Sequence, residues 1–392
     1  MSDSIVIVSA ARTPMGGLQG DLSSVKATDL GATAIRSVLE RAGLSGDQVD
    51  EVVMGCVLPA GLGQAPARQA ALKAGIPIAA GCTTVNKMCG SGMKAVMLAH
   101  DQIKAGSCEI MIAGGMENMS QSPYLLPKVR EGLRMGHGKV LDHMFLDGLE
   151  DAYEGGLMGS FAQRSADAYS VSRESMDDFA IASLEKALQA INSGSFKDEI
   201  ASVTVQSRGG EQVIDTDEQP GKARLDKIRG LRPAFSKEGT VTAANSSSIS
   251  DGASALLLMR EADALAKGLS PLARIVAHAT HAQLPAEFTI APIGSIEKVL
   301  AKAGWEKDSV DLFEINEAFA VVTMLAISQL GLDEKKVNVK GGACALGHPI
   351  GSSGSRILVT LVYALKQQNL KRGIASLCIG GGEATAVAVE ML

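Results

Sequence analysis

One stretch of this chain occurs twice. Ile35-x-x-Val38-Leu39-x-x-Ala42-Gly43, followed by Val49-Asp50, returns as Ile296-x-x-Val299-Leu300-x-x-Ala303-Gly304, followed by Val310-Asp311. The offset is 261 residues without a gap, from 35 to 296 and from 50 to 311. Further on, Gly90-Ser91-Gly92 opens a helical stretch that leads to Ile110–Ala113 and Gly114-Gly115. Gly351-Ser352-Ser353-Gly354 opens another, leading to Ala375–Ile379 and Gly380-Gly381-Gly382. Two matches in the same order define a duplicated unit. Its elements alternate. Ile5–Ala10, Val49–Met54, Glu109–Ala113, Val310–Ile315 and Gly252–Arg260 read as strands. Ala27–Ala42 and Gly92–Ala105 read as helices, the first with apolar residues at Leu30, Ala34, Val38 and Leu39. That alternation predicts an α/β fold. One core stops growing near ~250–300 residues, so a chain of 392 suits two halves packed about a pseudo-twofold axis. They are residues 1–118, rejoined by about 249–269, and residues 270–392. Between them, 119–248 forms an insertion with Met-rich and charged stretches, Pro123, Pro127, Pro220 and Pro233, and an amphipathic helix near Arg173–Ile191.

Composition narrows the function. Apolar residues make up 46% of the chain, too many for disorder. The formal net charge is −6 without a Lys/Arg block, which argues against a nucleic-acid partner. No apolar run approaches the ~18–20 residues of a membrane span. The acidic lead Met1-Ser2-Asp3-Ser4 lacks a basic signal region, and the end, Val389-Glu390-Met391-Leu392, is not a Ser-Lys-Leu address. A cytoplasmic protein is expected. The six cysteines, Cys56, Cys82, Cys89, Cys108, Cys344 and Cys378, show neither CxxC nor zinc-finger spacing. Free thiols and no metal are therefore expected.

Two Cys and one His stand in glycine-rich settings. Cys89 lies where a strand-like segment meets a helix, in Asn86-Lys87-Met88-Cys89-Gly90-Ser91-Gly92-Met93-Lys94-Ala95. A helix N-terminus lowers a thiol pKa and favours the nucleophilic thiolate. The alternative is a buried Cys in a tight turn. Gly90-x-Gly92-x-x-Ala95 is also a loose dinucleotide fingerprint, but the acidic residue expected after the next strand is missing. His348 sits in Gly341-Gly342-Ala343-Cys344-Ala345-Leu346-Gly347-His348-Pro349, near residue 350, the repeat mate of Cys89. A pseudo-twofold axis would bring Cys89 and His348 together, and a Cys–His pair activates a thiol at neutral pH. The other His, at 100, 137, 143, 278 and 281, read as structural or surface residues. Cys378-Ile379-Gly380-Gly381-Gly382 ends a strand, where α/β sheets bind ligands. Asn316-Glu317 follows the strand Val310–Ile315 and is readable as a helix cap or as a site group.

At these positions the sequence resembles the thiolase family over its whole length. The Cys89 decapeptide is similar to the nucleophile loop. Asn316-Glu317-Ala318-Phe319-Ala320 is similar to the Asn-Glu-Ala-Phe motif, and Gly347-His348-Pro349 and Cys378-Ile379-Gly380-Gly381-Gly382 to the His and second-Cys motifs. The Gly90–Ala95 wording resembles members that condense acetyl-CoA more than long-chain degradative members. The resemblance implies Cys89 as nucleophile, His348 as its base and Cys378 as acid/base. Asn316 and His348 would steady the enolate, and the N–H groups of Cys89 and Gly380 the acyl-enzyme oxyanion. The product would be acetoacetyl-CoA and CoA. The insertion would be a loop domain covering CoA and joining a homotetramer, with contacts from Met158, Ala234, Phe235, Ala243, Ser247, Phe288, Ala318 and Phe319. CoA thioesters are substrates here, and no further cofactor is implied.

The chain departs from the family pattern in places. Leu157 stands before Met158-Gly159 where a His is usual. Pro220-Gly221 replaces an Arg-His pair, which passes nucleotide-end contacts to Lys222 or Arg224. Phe288 replaces an acyl-pocket Met, and Cys344 stands where Ile is common, as a packing residue. The alternatives are a thiolase for longer 3-ketoacyl-CoA chains, a Rossmann-type oxidoreductase and a non-catalytic lipid carrier on the same fold. The carrier predicts loss of Cys89, His348 or Cys378, and all three are present.

Overall fold

The apolar run Ile5–Arg12 forms strand β1 with every residue buried, as a strand covered on both faces requires. The computed structural model describes residues 4–207 and 209–392, so Met1, Ser2 and Asp3 of the acidic lead lie outside the described residues. β1 sits mid-sheet. Its half adds β2 (Glu51–Gly55), β3 (Gly81–Val85), β4 (Ile110–Asn118) and β5 (Ser250–Arg260). The other half supplies β6 (Ala273–Ala282), β7 (Leu312–Ile315), β8 (Arg372–Ile379) and β9 (Glu383–Met391). The order is β7-β8-β9-β6-β1-β5-β4-β2-β3.

Outward from the β1/β6 join the two wings match. β1–β5 and β5–β4 are antiparallel and β4–β2 parallel. Likewise β6–β9 and β9–β8 are antiparallel and β8–β7 parallel. The counterpart of β3 is reduced to one parallel bridge, Phe313–Val337. The join itself is only two residue pairs, Val6–Arg274 and Ile7–Ala273.

The helices are α1 (Ala27–Ala42), α2 (Pro66–Lys73), α3 (Ser91–Ala105), α4 (Met158–Ala168), α5 (Arg173–Asn192), α6 (Ala291–Ala303), α7 (Ala320–Leu330) and α8 (Ser353–Gln368). The repeated helices α1 and α6 stop alike, at Gly43 (φ 64°) and Gly304 (φ 66°), the left-handed cap that glycine adopts without strain. α8 is buried from Ser353 through Leu365, which places it inside the molecule. It packs with α3 around Ile357, Leu358, Leu361, Val96 and Ile103. Their N-termini touch. A Cβ on Gly354 would stand 2.5 Å from the backbone N of Met93. These two residues are repeat mates, so the pseudo-twofold relation passes through this contact.

One sequence expectation changes here. Gly114-Gly115 does not end the strand, because β4 runs on to Asn118. An added Cβ would stand 2.0 Å from Ser254 O at Gly114 and 2.0 Å from Gly351 O at Gly115. They let neighbouring backbone close in. In the insertion, α5 buries Met176, Ala180, Leu184 and Ala187 along one face. A buried ion cluster fastens it down: Arg12 meets Glu199 at 2.6 Å and Asp217 at 2.7 Å, and Lys340 reaches Glu199 at 3.2 Å.

Candidate active site

Between β3 and α3 the chain makes a tight, side-chain-braced turn. Asn86 Oδ1 accepts from Met88 N at 2.9 Å; Ser91 Oγ accepts from Lys87 N at 2.8 Å and donates to Met88 O at 2.6 Å. Met88 is held at φ 46°, a strained conformation for a residue with a side chain. The turn therefore presents Cys89 immediately before Gly90, the cap of α3. An added Cβ on Gly90 would stand 2.4 Å from Ile379 Cδ1, so this turn lies on the end of β8. Gly92 likewise abuts Ser355, its added Cβ 2.5 Å from Oγ. These glycines face protein, which removes the dinucleotide reading of Gly90–Ala95.

Burial pushes the Cys89 thiol up to about 11, against the pull of the N–H groups of Gly380 and of Cys89 itself. The sequence reading names the same two N–H groups as oxyanion donors. Desolvation here outweighs the lowering that the sequence reading expects from the helix terminus.

Cys378 is buried near the end of β8. Burial, and then the neighbouring Cys89 sulfur, raise its thiol well above the ordinary value. Asn316 follows β7, and its N–H donates to Ser376 O at 3.0 Å, which sets it beside the same strand end. Its Oδ1 accepts from Arg356 at 3.4 Å, while its buried Nδ2 has no partner among the described residues. His348 is buried on the loop that Gly347 opens at φ 104°. Its Nδ1 is 2.5 Å from Ser353 Oγ, and its Nε2 has no partner among the described residues. Burial, and then the Arg356 charge, push the imidazole down to about 3. Ile350, the repeat mate of Cys89, shares an apolar cluster with it.

Cys378 belongs to a cluster with Phe161, Phe288, Ala318 and Val322, flanked by Met158 and Phe319. Met158 Sδ would be 3.5 Å from a Cβ at Gly380. Phe319 meets Phe235 and Phe288 edge-on, with centroids 6.2 and 6.4 Å apart. Ser247 N donates to Ala318 O at 2.9 Å, and Ala234 N to Val241 O at 2.9 Å. Met158, Phe235, Ser247, Phe288, Ala318 and Phe319 thus gather on one side of Cys378. Ala243 lies apart from that cluster, in a cavity of about 300 Å³ with Arg224, Lys227, Leu231, Ser248 and Cys344. Of the two proposed cations, Arg224 lines this cavity, whereas Lys222 pairs with Glu218 and Asp21. Lys227 was not foreseen.

Supporting contacts went unread in the sequence. Glu317, readable with Asn316 as a helix cap or a site group, accepts from Ser183 Oγ at 2.7 Å, Asn338 Nδ2 at 2.9 Å and Cys344 N at 3.1 Å, tying α5 to two loops. Arg356, buried on α8, holds Asn316 and repels charge on His348. Glu117, at the end of β4, accepts from Val57 N, Leu58 N and Gly351 N at 2.9, 3.1 and 2.9 Å. The one signal for it is its offset of 261 from Cys378.

Known proteins resemble this chain in sequence and fold. The family model described as "Thiolase, N-terminal domain" matches residues 5–262, and that for "Thiolase, C-terminal domain" matches 269–391. An acetyl-CoA acetyltransferase of Pseudomonas aeruginosa is 49% identical over 385 residues, covering 98% of both chains. One from Cupriavidus necator is 50% identical over 388 residues, covering 98% of this chain and 99% of its own. The crystal structure of the Bacillus anthracis acetyl-CoA acetyltransferase superimposes with a TM-score of 0.97 at 41% identity, covering 100% of this chain and 99% of that one.

Proposed function

We propose that this chain, which belongs to the thiolase family, condenses two acetyl-CoA into acetoacetyl-CoA and CoA, reversibly and through an acyl-Cys89 intermediate. The observation that carries this reading is the pair of neighbouring sulfurs, half-buried Cys89 and buried Cys378, with two backbone N–H groups directed at the first. Neutral His348 takes the proton of Cys89, whose sulfur attacks the first thioester carbonyl. The departing CoA sulfur takes a proton from Cys378. That leaves Cys378 as a thiolate base beside an imidazolium. It removes a methyl proton from the second acetyl-CoA, and the carbanion attacks the acyl carbon. Cys89 leaves and recovers its proton from His348. The N–H groups of Cys89 and Gly380 hold the tetrahedral oxyanion; Asn316, through water, and His348 hold the enolate oxygen. Loss of one such donor costs ~10²–10³ in rate.

Phe288 favours the short substrate over the longer 3-ketoacyl chains. It is buried against Phe161, Ala318 and Cys378, filling space an extended acyl chain needs. The names of the relatives point the same way. Residues 119–248 act as a loop domain that covers CoA between the two halves. Met158, Phe235, Ser247, Ala318 and Phe319 line the pantetheine path, with Ala234 and Ala243 farther out and Arg224 and Lys227 toward the nucleotide. The protein is a homotetramer: Tyr124, Leu126, Val129, Leu133, Met135 and Val140 form an exposed apolar run on that domain suited to subunit contact. Its six free cysteines suit the cytoplasm, and no helix among the described residues is long and apolar enough to cross a membrane. The chemistry needs no cofactor beyond the CoA thioesters. Thiolysis rates over a series of 3-ketoacyl-CoA chain lengths test the reading. The four-carbon substrate is expected to be fastest, and a maximum at long chains overturns it.

A further inference from the structure

Away from the sulfurs, α3 and β6 bring three metal-ligating side chains together. His100 Nδ1 is 3.0 Å from Asp101 Oδ1. His278 Nε2 is 2.8 Å from the same oxygen and 3.2 Å from His100 Nδ1. The rings stand edge to face at 86°. His100 is buried, His278 half-buried and Asp101 open to solvent, so the point of convergence is reachable from outside. It lies well away from Cys89: His100 is nine residues past the first residue of α3, about 14 Å along the helix.

Hydrogen bonds cannot satisfy all three edges of this triangle. The carboxylate oxygen accepts from both rings only if both nitrogens carry protons. Those two N–H groups then oppose each other across the 3.2 Å edge. If either nitrogen is bare, one edge sets a lone pair against the carboxylate. A cation at the centre satisfies all three edges at once. Two imidazoles and a carboxylate are a donor set for zinc-class ions. Around such an ion, bonds of ~2.0–2.2 Å give ligand–ligand edges of about 3.3 Å, so the triad needs to open by only a few tenths of an ångström.

We propose that His100, Asp101 and His278 bind one divalent transition-metal ion of the zinc class, with water in the open position. The site joins a helix of the first half to a strand of the second, four residues along β6 from Arg274, where the two wings of the sheet meet. Its consequence is a metal-dependent clamp between the halves. The sequence reading expects no metal because the ligands lie 177 residues apart and match no short spacing.

The test is titration of the chelator-stripped full-length protein with Co²⁺. One ion per chain is expected, with visible d–d bands, no thiolate-to-cobalt charge-transfer band and a raised Tm. Binding weakens at least about tenfold in His278→Ala and in the solvent-side variant Asp101→Asn, and is unchanged in Cys89→Ala. Absence of binding, a thiolate band that vanishes in Cys89→Ala, or full binding in a folded His278→Ala protein each overturns the proposal.

Discussion

The ends of β4 and β8 occupy the same place in the two halves, yet they are used differently. At the first stands Glu117, closed in by three backbone N–H donors and the Cys56 thiol. At the second stands Cys378, among Phe161, Phe288, Ala318 and Val322. Duplication supplies two identical strand ends beside the axis. One has become a brace: through Gly351, Glu117 fixes the loop that carries His348, while Val57 and Leu58 fix the loop after β2. The other keeps its group short of polar partners and close to the second sulfur. The same division holds between residue 350 and Cys89, where Ile350 packs and Cys89 reacts. A symmetric scaffold thus yields an asymmetric site, because one copy of each position is spent on rigidity.

The contrast breaks most sharply at Cys378. Cys378→Ala is expected to lower condensation by ~10²–10⁴ with little change in Tm, measured by steady-state rates and calorimetry. Glu117→Ala is expected to do the reverse. It strands buried N–H donors, each worth ~1–3 kcal/mol, and lowers unfolding free energy by about 3 kcal/mol or more in denaturant titration. The folded remainder still acetylates Cys89.

A smaller effect follows from acid–base linkage. Burial pushes Glu117 up to about 7, from 4.5 in the unfolded chain. Between those values the folded protein holds a proton that the unfolded chain has lost. The associated stability is present below 4.5 and is lost as pH rises through 7. Glu117→Gln removes this slope, a change of up to about 3 kcal/mol across the window, read from unfolding free energy against pH. Gly354→Ala is the mildest, at about 1–3 kcal/mol from overpacking where the two repeat helices touch.

Much of the scaffold was legible in the sequence because duplication is a long, gapless signal. The offset of 261 survives from α1 through β2, and from α3 to the end of β4. Four short motifs, three of them glycine-rich, carried Cys89, Asn316, His348 and Cys378, since short loops keep these residues in recognisable wording. The supporting contacts were illegible for a common reason. Glu117, Arg356 and Glu317 make hydrogen bonds across 21 to 234 residues, and no local pattern encodes such pairings. Gly114 and Gly115 were misread because a glycine that ends a strand and one that admits a neighbouring strand look alike in sequence. The lowering expected at the Cys89 thiol is outweighed because the helix terminus is local and the desolvation that opposes it comes from the whole fold.

The most direct test of unequal roles for two neighbouring sulfurs is intact-mass and peptide analysis after acid quench with acetyl-CoA. It compares the wild-type protein with Cys89→Ala and Cys378→Ala. One acetyl group is expected on the Cys89 peptide of wild-type and Cys378→Ala protein, and none on Cys89→Ala. An acetyl group on Cys378, or labelling that survives in Cys89→Ala, would contradict the assignment of nucleophile and base.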